Sequence, residues 1–420
     1  MTDSPRKRPD NLQYAAVSHI GMRRLNNQDS CVVVPAEDDA AWQLRGHLFV
    51  VADGMGAHAA GELASKMAVD GVAHHYGQRA QLSPPEALLQ AVRDTNAEIH
   101  QRGQVNSEFH NMGTTCSILA LLPQGALIAH VGDSRVYRIR EQVIEQLTFD
   151  HSLVWEMRAA NPRMVEEGLF QIPKHVITRS LGPQAEVQID LEGPLATRSG
   201  DTYLLCSDGL TGRVEDAEIG LIAGHLPPED AGRFLVDLAN LRGGPDNITI
   251  LLARILDGDA ANRPPGEPLV VGQFKPPRPL PLAVWCAVIG GLVTSCGLAI
   301  LQLWTVAALV MVAAFAVLAC GLLYRLPPQD GVTSLSEERR LGKAPYVRVE
   351  CDPSSARIER LADSVRALAR QRAEVLGEEG TRVEACLDEV RQRARGRQPV
   401  PALQMLGVAV RILADSISSV

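Results

Sequence analysis

Four apolar runs in this chain meet a turn in the same way, with an aspartate at the join and a glycine beside it or nearly so. FVVA leads into Asp53 and Gly54, and LIAHV into Gly132 and Asp133. TYLLCS leads into Asp208 and Gly209, and Gly244 and Asp246 stand just before ITILLA. Short apolar runs bounded by turn residues read as buried strands. One aspartate at a strand end is an ordinary loop cap. Four, each near a glycine, restrict the fold much further. A carboxylate at the end of a buried strand is costly to keep charged without a partner, and several gathered together repel and take up protons. A shared hard cation removes both difficulties, and an all-oxygen donor set favours Mg²⁺ or Mn²⁺. No cluster of His or Cys competes, so zinc is not expected. Gly54 has no Cβ, so its carbonyl can approach such an ion closely. On spacing alone, loop capping stays open as the alternative.

A length of 420 residues suits two or three domains. Apolar residues make up 46% and aromatics only 4%, so the core must be mainly aliphatic. The net charge of -8 argues against general nucleic-acid binding, which needs a basic surface. Eight cysteines are scattered with no CxxC pair, which suggests neither a zinc knuckle nor a disulfide framework. A reduced, cytoplasmic setting is the expectation. The opening MTDSPRKRPD is polar and is not expected to be a signal peptide.

Composition divides the chain. Residues 12–256 mix apolar runs with turn signals, as a globular domain does. Residues 257–279 are rich in Pro, Gly and Asp and read as a linker. Residues 280–324 contain no charged side chain. A bilayer core takes about 20 apolar residues as helix, so this stretch predicts two transmembrane helices turning near Gln302 and Trp304. Arg278 and Lys275 precede it, and Arg325, Arg339, Arg340 and Lys343 follow. Basic flanks at both ends put both in the cytoplasm, at the cell (inner) membrane.

Residues 345–420 read as a cytoplasmic helical domain. Asp352 and Pro353 predict an N-cap and first helical residue. Thr381 and Glu384 match a capping box. Three stripes recur at helical spacing: Ile358, Leu361, Val365, Leu368 and Val375; Val383, Leu387, Val390 and Ala394; and Leu403, Leu406, Val410, Leu413 and Ile417. Each is too short for a coiled coil. The expectation is a small bundle that packs on itself or associates with another copy, and that catalysis does not require.

The motifs also resemble a family. GMRRLNNQDS (21–30) is similar to the R-x-x-N-E-D opening of the metal-dependent type 2C protein serine/threonine phosphatases, and ADGMGAHAAGE to their DGMGGH-x-x-GE segment. MGTT (112–115), GDSR, LTFDHS (147–152), HVITRSLG (175–182), SDGL and PDNIT follow in the family's order, over about residues 14–256. The resemblance implies an α+β fold, an α-β-β-α sandwich of two antiparallel sheets flanked by helices. Helices near 59–76 and 84–102 fit it. The transmembrane hairpin and helical tail would follow.

Residue by residue, the resemblance implies that Asp53 bridges two Mn²⁺ or Mg²⁺ ions. Asp208 and Asp246 complete one shell, the Gly54 carbonyl reaches the second ion, and Asp133 with Asp208 holds a third, weaker one. Arg24 would bind substrate phosphate, Asp29 would support metal-bound waters, and Asn247 would neighbour the shell. Gln28 stands where the family has Glu and adds no charge, which predicts weaker binding of the second ion. Ala57 replaces a glycine, which predicts a shifted turn. Met55 stands where a eukaryotic branch has a candidate His acid. His58, His151 and His175 read as structural, and Cys206 as a packed thiol. Residues 153–174 match the family's variable flap.

These features predict a membrane-anchored phosphatase acting on phosphoserine and phosphothreonine in proteins, the substrates of a serine/threonine kinase. A weakly active signalling scaffold and a small-molecule phosphohydrolase are the alternatives.

Overall fold

The computed structural model describes residues 12–56, 59–160, 173, 176–256, 269–271, 282–325, 333–335, 341–372 and 376–418. The strands are β1 (Leu12–His19), β2 (Asp29–Val34), β3 (His47–Met55), β4 (Gly113–Thr114), β5 (Cys116–Leu122), β6 (Gly125–Val131) and β7 (Arg135–Arg140), followed by β8 (Val143–Gln146), β9 (Asp190–Leu195), β10 (Thr202–Cys206) and β11 (Ile248–Ile255). β3, β5 and β6 are buried almost throughout, as unbroken aliphatic runs require. Two antiparallel sheets result. One runs β1-β11-β10-β7-β8, and the other runs β2-β3-β5-β6-β9 with β4 beside β3. Phe49, Val51, Leu119 and Ile128 from the second sheet meet Val136, Tyr203, Leu205 and Leu251 from the first in one buried cluster. This is the expected sandwich.

Helices cover the outer faces. α1 (Asp39–Arg45), α2 (Ala60–Gln78) and α3 (Pro84–Val105) accompany the second sheet, where α2 packs on β2 and β3 and α3 packs on α2. The two helices expected near 59–76 and 84–102 are these. Pro84 follows Ser83, whose side chain and Glu86 form a capping box that starts α3. α4 (Leu153–Ala160) begins the segment matched to the flap, most of which lies outside the described residues. α5 (Asp208–Thr211), α6 (Asp216–His225) and α7 (Pro228–Leu241) lie beyond the first sheet, with α7 on β1 and β11.

Residues 270–334 form a separate compact unit. Its ribbon pairs β12 (Leu269–Val271) with β13 (Thr333–Leu335), and α8 (Leu282–Ile300) and α9 (Trp304–Arg325) pack as a hairpin. Ser295 Oγ donates to the Ala307 carbonyl at 2.9 Å across the pair, and Gln302 takes the turn with φ 60°. Among the described residues, no helix is long and apolar enough to cross a membrane. The expectation of two transmembrane helices is corrected to that extent. The described side chains cover residues 287–300 and 304–315, short of the about 20 that a hydrocarbon core needs. Of the 257–279 linker, only 269–271 is described.

The tail belongs to the same compact unit as the catalytic sheets. β14 (Val347–Glu350) pairs antiparallel with β8, extending the first sheet by one strand. α10 (Ser355–Gln371), α11 (Glu378–Arg395) and α12 (Pro399–Ser418) follow. Ile358, Leu361, Val365, Val383, Leu387, Leu403, Leu406 and Val410 join Ile219, Ile222, Leu235 and Leu238 of α6 and α7 in one buried cluster. The described residues of the stripes therefore pack on one another and within this chain's own core. Arg366 on α10 is nearly buried and bonds Glu384 and Asp388 of α11, each at 2.7 Å.

Two local expectations are corrected. Ser354, not Asp352, occupies the N-cap position of α10, without a side-chain capping bond, and the Asp352 carboxylate accepts from Arg357 at 2.7 Å. Thr381 lies inside α11, which starts three residues earlier at Glu378, so no helix begins at the TRVE box. Val375 and the side chain of Ile417 lie outside the described residues.

A shared core makes a prediction. Leu406 is fully buried among α7 and tail residues. Leu406→Ala should cost about 2–5 kcal/mol and lower the melting temperature of the catalytic sheets and the tail in one transition. Two separate calorimetric transitions, with only one shifted, would show that the tail folds independently.

Candidate active site

The acidic residues converge because antiparallel pairing brings strand ends together. Asp29 opens β2 opposite Asp53 near the end of β3, the two being register partners. Ser207 and Asp208 follow β10, and the loop carrying Asp246 enters β11 beside it, with the Ser207 N–H bonded to the Thr249 carbonyl at 3.1 Å. Asp133 leaves β6 at the same end. Asp53 feels the charge of Asp29, Asp208, Asp133 and Asp246 together.

Close backbone approach holds these ends in place. The Gly54 N–H donates to the Gln28 carbonyl at 3.1 Å, and a Cβ on Gly54 would stand 2.1 Å from the Gly61 carbonyl oxygen. Glycine there lets the start of α2 close on the strand end. A Cβ on Gly209 would meet the Asn247 carbonyl oxygen at 1.9 Å, so this glycine lets the Asp246 loop close on Asp208. Asn247 acts as a clamp. Its Oδ1 accepts from the Gln28 N–H at 2.8 Å, and its Nδ2 donates to the Ile20 and Asn26 carbonyls at 2.9 and 3.0 Å. Gln28 Nε2 donates to the Gly56 carbonyl at 3.3 Å. An amide suits that carbonyl, whereas a carboxylate would face it oxygen to oxygen.

Burial decides the electrostatics. It pushes the Asp53 carboxyl well above the usual range, with the neighbouring carboxylates adding to the rise. Burial likewise raises Asp29 to about 7, against opposing hydrogen bonds that include one from Ser207 Oγ at 2.7 Å. Asp133 is also raised to about 7, by burial and then by Asp208 and Asp150. Asp29 Oδ1 and Asp133 Oδ1 are buried with no hydrogen-bond partner. Arg24, half-exposed, donates to Asp246 Oδ2 at 2.8 Å, and the Asn247 N–H reaches Asp246 Oδ1 at 2.9 Å. Among the described residues, no three His, Cys, Asp or Glu side chains already close around one ion position. The donor chemistry nonetheless fits hard divalent cations, because the donors are oxygens, their charges repel, and two buried oxygens lack partners.

Residues without an assigned role frame this cluster. The Thr114 hydroxyl and the Thr115 N–H both bond the Asp53 carbonyl at 2.9 Å, and Thr115 Oγ1 accepts from the Asp53 N–H at 2.8 Å. Arg135, two residues after Asp133, grips Asp150 at 2.7–3.0 Å, and Gln146 Nε2 donates to Asp150 Oδ1 at 2.7 Å. MGTT, GDSR and LTFDHS contained all of them but Gln146, and only the fold shows which atoms meet. His151 is fully buried, its Nδ1 accepting from the Gly132 N–H at 3.0 Å and its Nε2 facing Asp190 at 3.0 Å, a structural role as expected. Cys206 is fully buried in β10, as expected of a packed thiol, and burial raises its pKa. Ala57, His58 and His175 lie outside the described residues.

Two stacked antiparallel sheets that gather buried carboxylates at one end define a metal-dependent hydrolase site. Residues 18–235 match the family Protein phosphatase 2C. Protein phosphatase PhpP of Streptococcus pneumoniae is 38% identical over 253 residues, spanning 59% of this chain and 100% of that protein. Serine/threonine protein phosphatase PstP of Mycobacterium tuberculosis is 34% identical over 266 residues, 63% of this chain and 48% of that one. The crystal structure of the M. tuberculosis phosphatase PstP/Ppp aligns with TM-score 0.52 at 33% identity, covering 59% of this chain and 99% of that one. A structure of the PstP catalytic domain in complex with 2 manganese ions aligns at 0.50, again at 33% identity and 59% and 99% coverage. The chain belongs to the protein phosphatase 2C family and is a metal-dependent protein serine/threonine phosphatase using Mn²⁺ or Mg²⁺.

The raised carboxyls predict a pH effect. Without metal, the folded chain keeps protons on Asp29 and Asp133 up to about pH 7, while the unfolded chain releases them near the ordinary value of 3.8. Between those values the unfolded state binds fewer protons, so stability falls as pH rises. In EDTA, the melting temperature should drop by at least about 4 °C from pH 5 to 7.5. Mn²⁺ should raise it more at pH 7.5 than at pH 5. A flat metal-free profile would contradict the burial of these carboxyls.

Proposed function

We propose that this chain is a membrane-anchored phosphatase that hydrolyses phosphoserine and phosphothreonine in proteins modified by a serine/threonine kinase. The observation that carries the catalytic reading is the convergence of Asp29, Asp53, Asp133, Asp208 and Asp246 at one end of the sandwich, with Arg24 at its rim. Asp53, Asp208, Asp246 and the Gly54 carbonyl would hold the two core ions. Asp133 with Asp208 is assigned to a third ion. When bound, the core pair supplies an activated water and charge compensation for in-line attack at phosphorus.

The chain's own residues do the rest. Arg24 presents a guanidinium fork that matches phosphate oxygens, and its bond to Asp246 keeps it beside the carboxylates that would hold the ions. Asp29, whose Oδ2 accepts from Ser207 Oγ, would orient waters around such ions. Asn247 and Gln28 hold the Arg24 and Gly54 loops at their spacing. Among the described residues, the mechanism assigns no Cys or His nucleophile, and Cys206 is buried away from that role.

Membrane attachment is proposed from the second unit. Residues 280–324 carry no charge, and Ile289, Val293, Leu309, Val312 and Phe315 of the helical pair are each more than half exposed. So much outward apolar surface calls for a nonpolar cover. Basic residues on both sides favour the cell (inner) membrane, with both flanking segments cytoplasmic. Full-length protein should stay in the membrane pellet after alkaline carbonate washing; release into the supernatant would refute the anchor.

Three substitutions test the metal assignments. Asp53→Asn should lower kcat on a phosphothreonine peptide by about 10³-fold or more at saturating Mn²⁺, since each 1.36 kcal/mol of lost barrier lowering is tenfold. Asp208→Asn should behave similarly. Asp133→Asn should leave the core pair bound and cause a smaller defect. An equal loss for Asp133→Asn, with calorimetry showing an emptied core pair, would overturn the division. Faster turnover of nucleotides than of the phosphopeptide would favour a small-molecule substrate instead.

A further inference from the structure

The chain that follows the helical pair crosses the open side of the sandwich. Leu341 bridges to Gly193 on β9, the edge of the second sheet, through bonds of 3.1 and 2.6 Å. The Ala344 N–H then donates to Glu192 Oε2 at 3.0 Å, and the Tyr346 hydroxyl donates to Glu192 Oε1. Glu192 is buried, and Gly342 (φ 74°) passes so close that a Cβ would collide with its carboxylate. The Tyr346 N–H donates to the Gln146 carbonyl at 2.9 Å, after which β14 pairs with β8, the edge of the first sheet. Residues 341–350 therefore tie one edge strand of each sheet together.

The tie lands on the loop nearest Asp133. The Tyr346 ring packs edge-on against Phe149 at 5.6 Å, and Phe149 packs edge-on against Trp155 of α4 at 5.3 Å. Trp155 lies under the Arg135 guanidinium at 5.5 Å. Gln146, whose backbone the tie holds, donates through its side chain to Asp150, and Asp150 grips Arg135. The next residue, His151, bonds the Gly132 N–H directly before Asp133. Tyr346 thus touches Gln146 and Phe149, which flank and belong to the loop whose Asp150 and His151 hold Arg135 and Gly132 on either side of Asp133.

We propose that Tyr346, held by Glu192, is a positioning residue for the phosphatase reaction. It sets the loop 147–152, and through it the Asp133 turn and the base of the flap-like segment that α4 begins. The proposal rests on the assignment of Asp133 to a third cation. It makes the tail part of the apparatus that holds a protein substrate, which a small aryl phosphate does not need to the same degree.

The test uses the full-length chain with Mn²⁺ saturating, on a phosphothreonine peptide and on p-nitrophenyl phosphate. Tyr346→Ala should lower kcat/KM for the peptide by about tenfold, mainly through KM, and lower kcat for the aryl phosphate by less than about threefold. Tyr346→Phe keeps the ring against Phe149 and should recover most of the loss. Arg348→Ala, on β14 but directed at Glu145, should match the parent on both substrates. Glu192→Gln, which keeps an acceptor for the hydroxyl, gives a milder second perturbation and should shift the peptide KM in the same direction. Equal losses on both substrates in step with a lower melting temperature would mean that Tyr346 only stabilises the fold. An Arg348→Ala effect as large as that of Tyr346→Ala would mean that any loosening of β14 suffices. Either result, or parental kinetics for Tyr346→Ala, overturns the proposal. Asp133→Asn run alongside separates the two readings. If it leaves peptide kinetics and Mn²⁺ dependence unchanged, the cation assignment fails; if it changes them while Tyr346→Ala does not, only the positioning role fails.

Discussion

Mutual repulsion among buried carboxylates is the constraint around which the catalytic half is arranged. Asp29, Asp53 and Asp133 are each driven toward the protonated form by burial, with neighbouring aspartates adding to the effect. A fold that gathers such groups at one strand end is unfavourable unless cations or protons balance the charge. The surrounding parts follow from keeping that cluster compact. Gly54 and Gly209 allow backbones within reach that a Cβ would forbid, Asn247 ties the 20–28 loop backbone at three points, and two threonines fix the Asp53 backbone.

The tail changes the meaning of the domain boundaries. The first sheet would otherwise end at β8, a strand of four residues with open hydrogen-bonding groups. Open edges invite pairing with other chains. Here β14 covers that edge, and α10, α11 and α12 cover the apolar outer face of α6 and α7. The tail thus buries surface that a free catalytic domain would expose, and its first residues reach the loop beside Asp133. A segment reached in the chain only after the helical pair is thereby built into the catalytic body.

The helical pair shows the opposite balance. Its inner seam is small and well packed, with Val288, Ala307 and Ala314 buried and Gly291 close to Ala314. Its outward positions are large and apolar. Small residues inside and large ones outside reverse the usual arrangement of a water-exposed hairpin.

Much of this was legible in the chain. Apolar runs ending at Asp53, Asp133 and Asp208 and beginning after Asp246 identified the strands and their acidic ends, because a period-free aliphatic run next to a glycine turn is a local signal. The helices Ala60–Gln78 and Pro84–Val105 and the three tail stripes were legible for the same reason. Periodicity tells which residues need burial but not all that will bury them: the tail helices do pack on one another, as their stripes imply. Only the tertiary structure laid α12 on α6 and α7 as well. Local cap chemistry was outvoted where packing set the helix start, so α10 begins after Ser354 and α11 passes through Thr381. Arg135 with Asp150, Asn247 with Gln28, and Tyr346 with Glu192 are joined by strand register and chain reversal over distances from 15 to 219 residues. The sequence by itself determined the oxygen-rich chemistry and the strands that carry it. The three-dimensional fold decided which side chains hold those oxygens in place, because such pairings depend on which strand ends meet, and no local pattern encodes that.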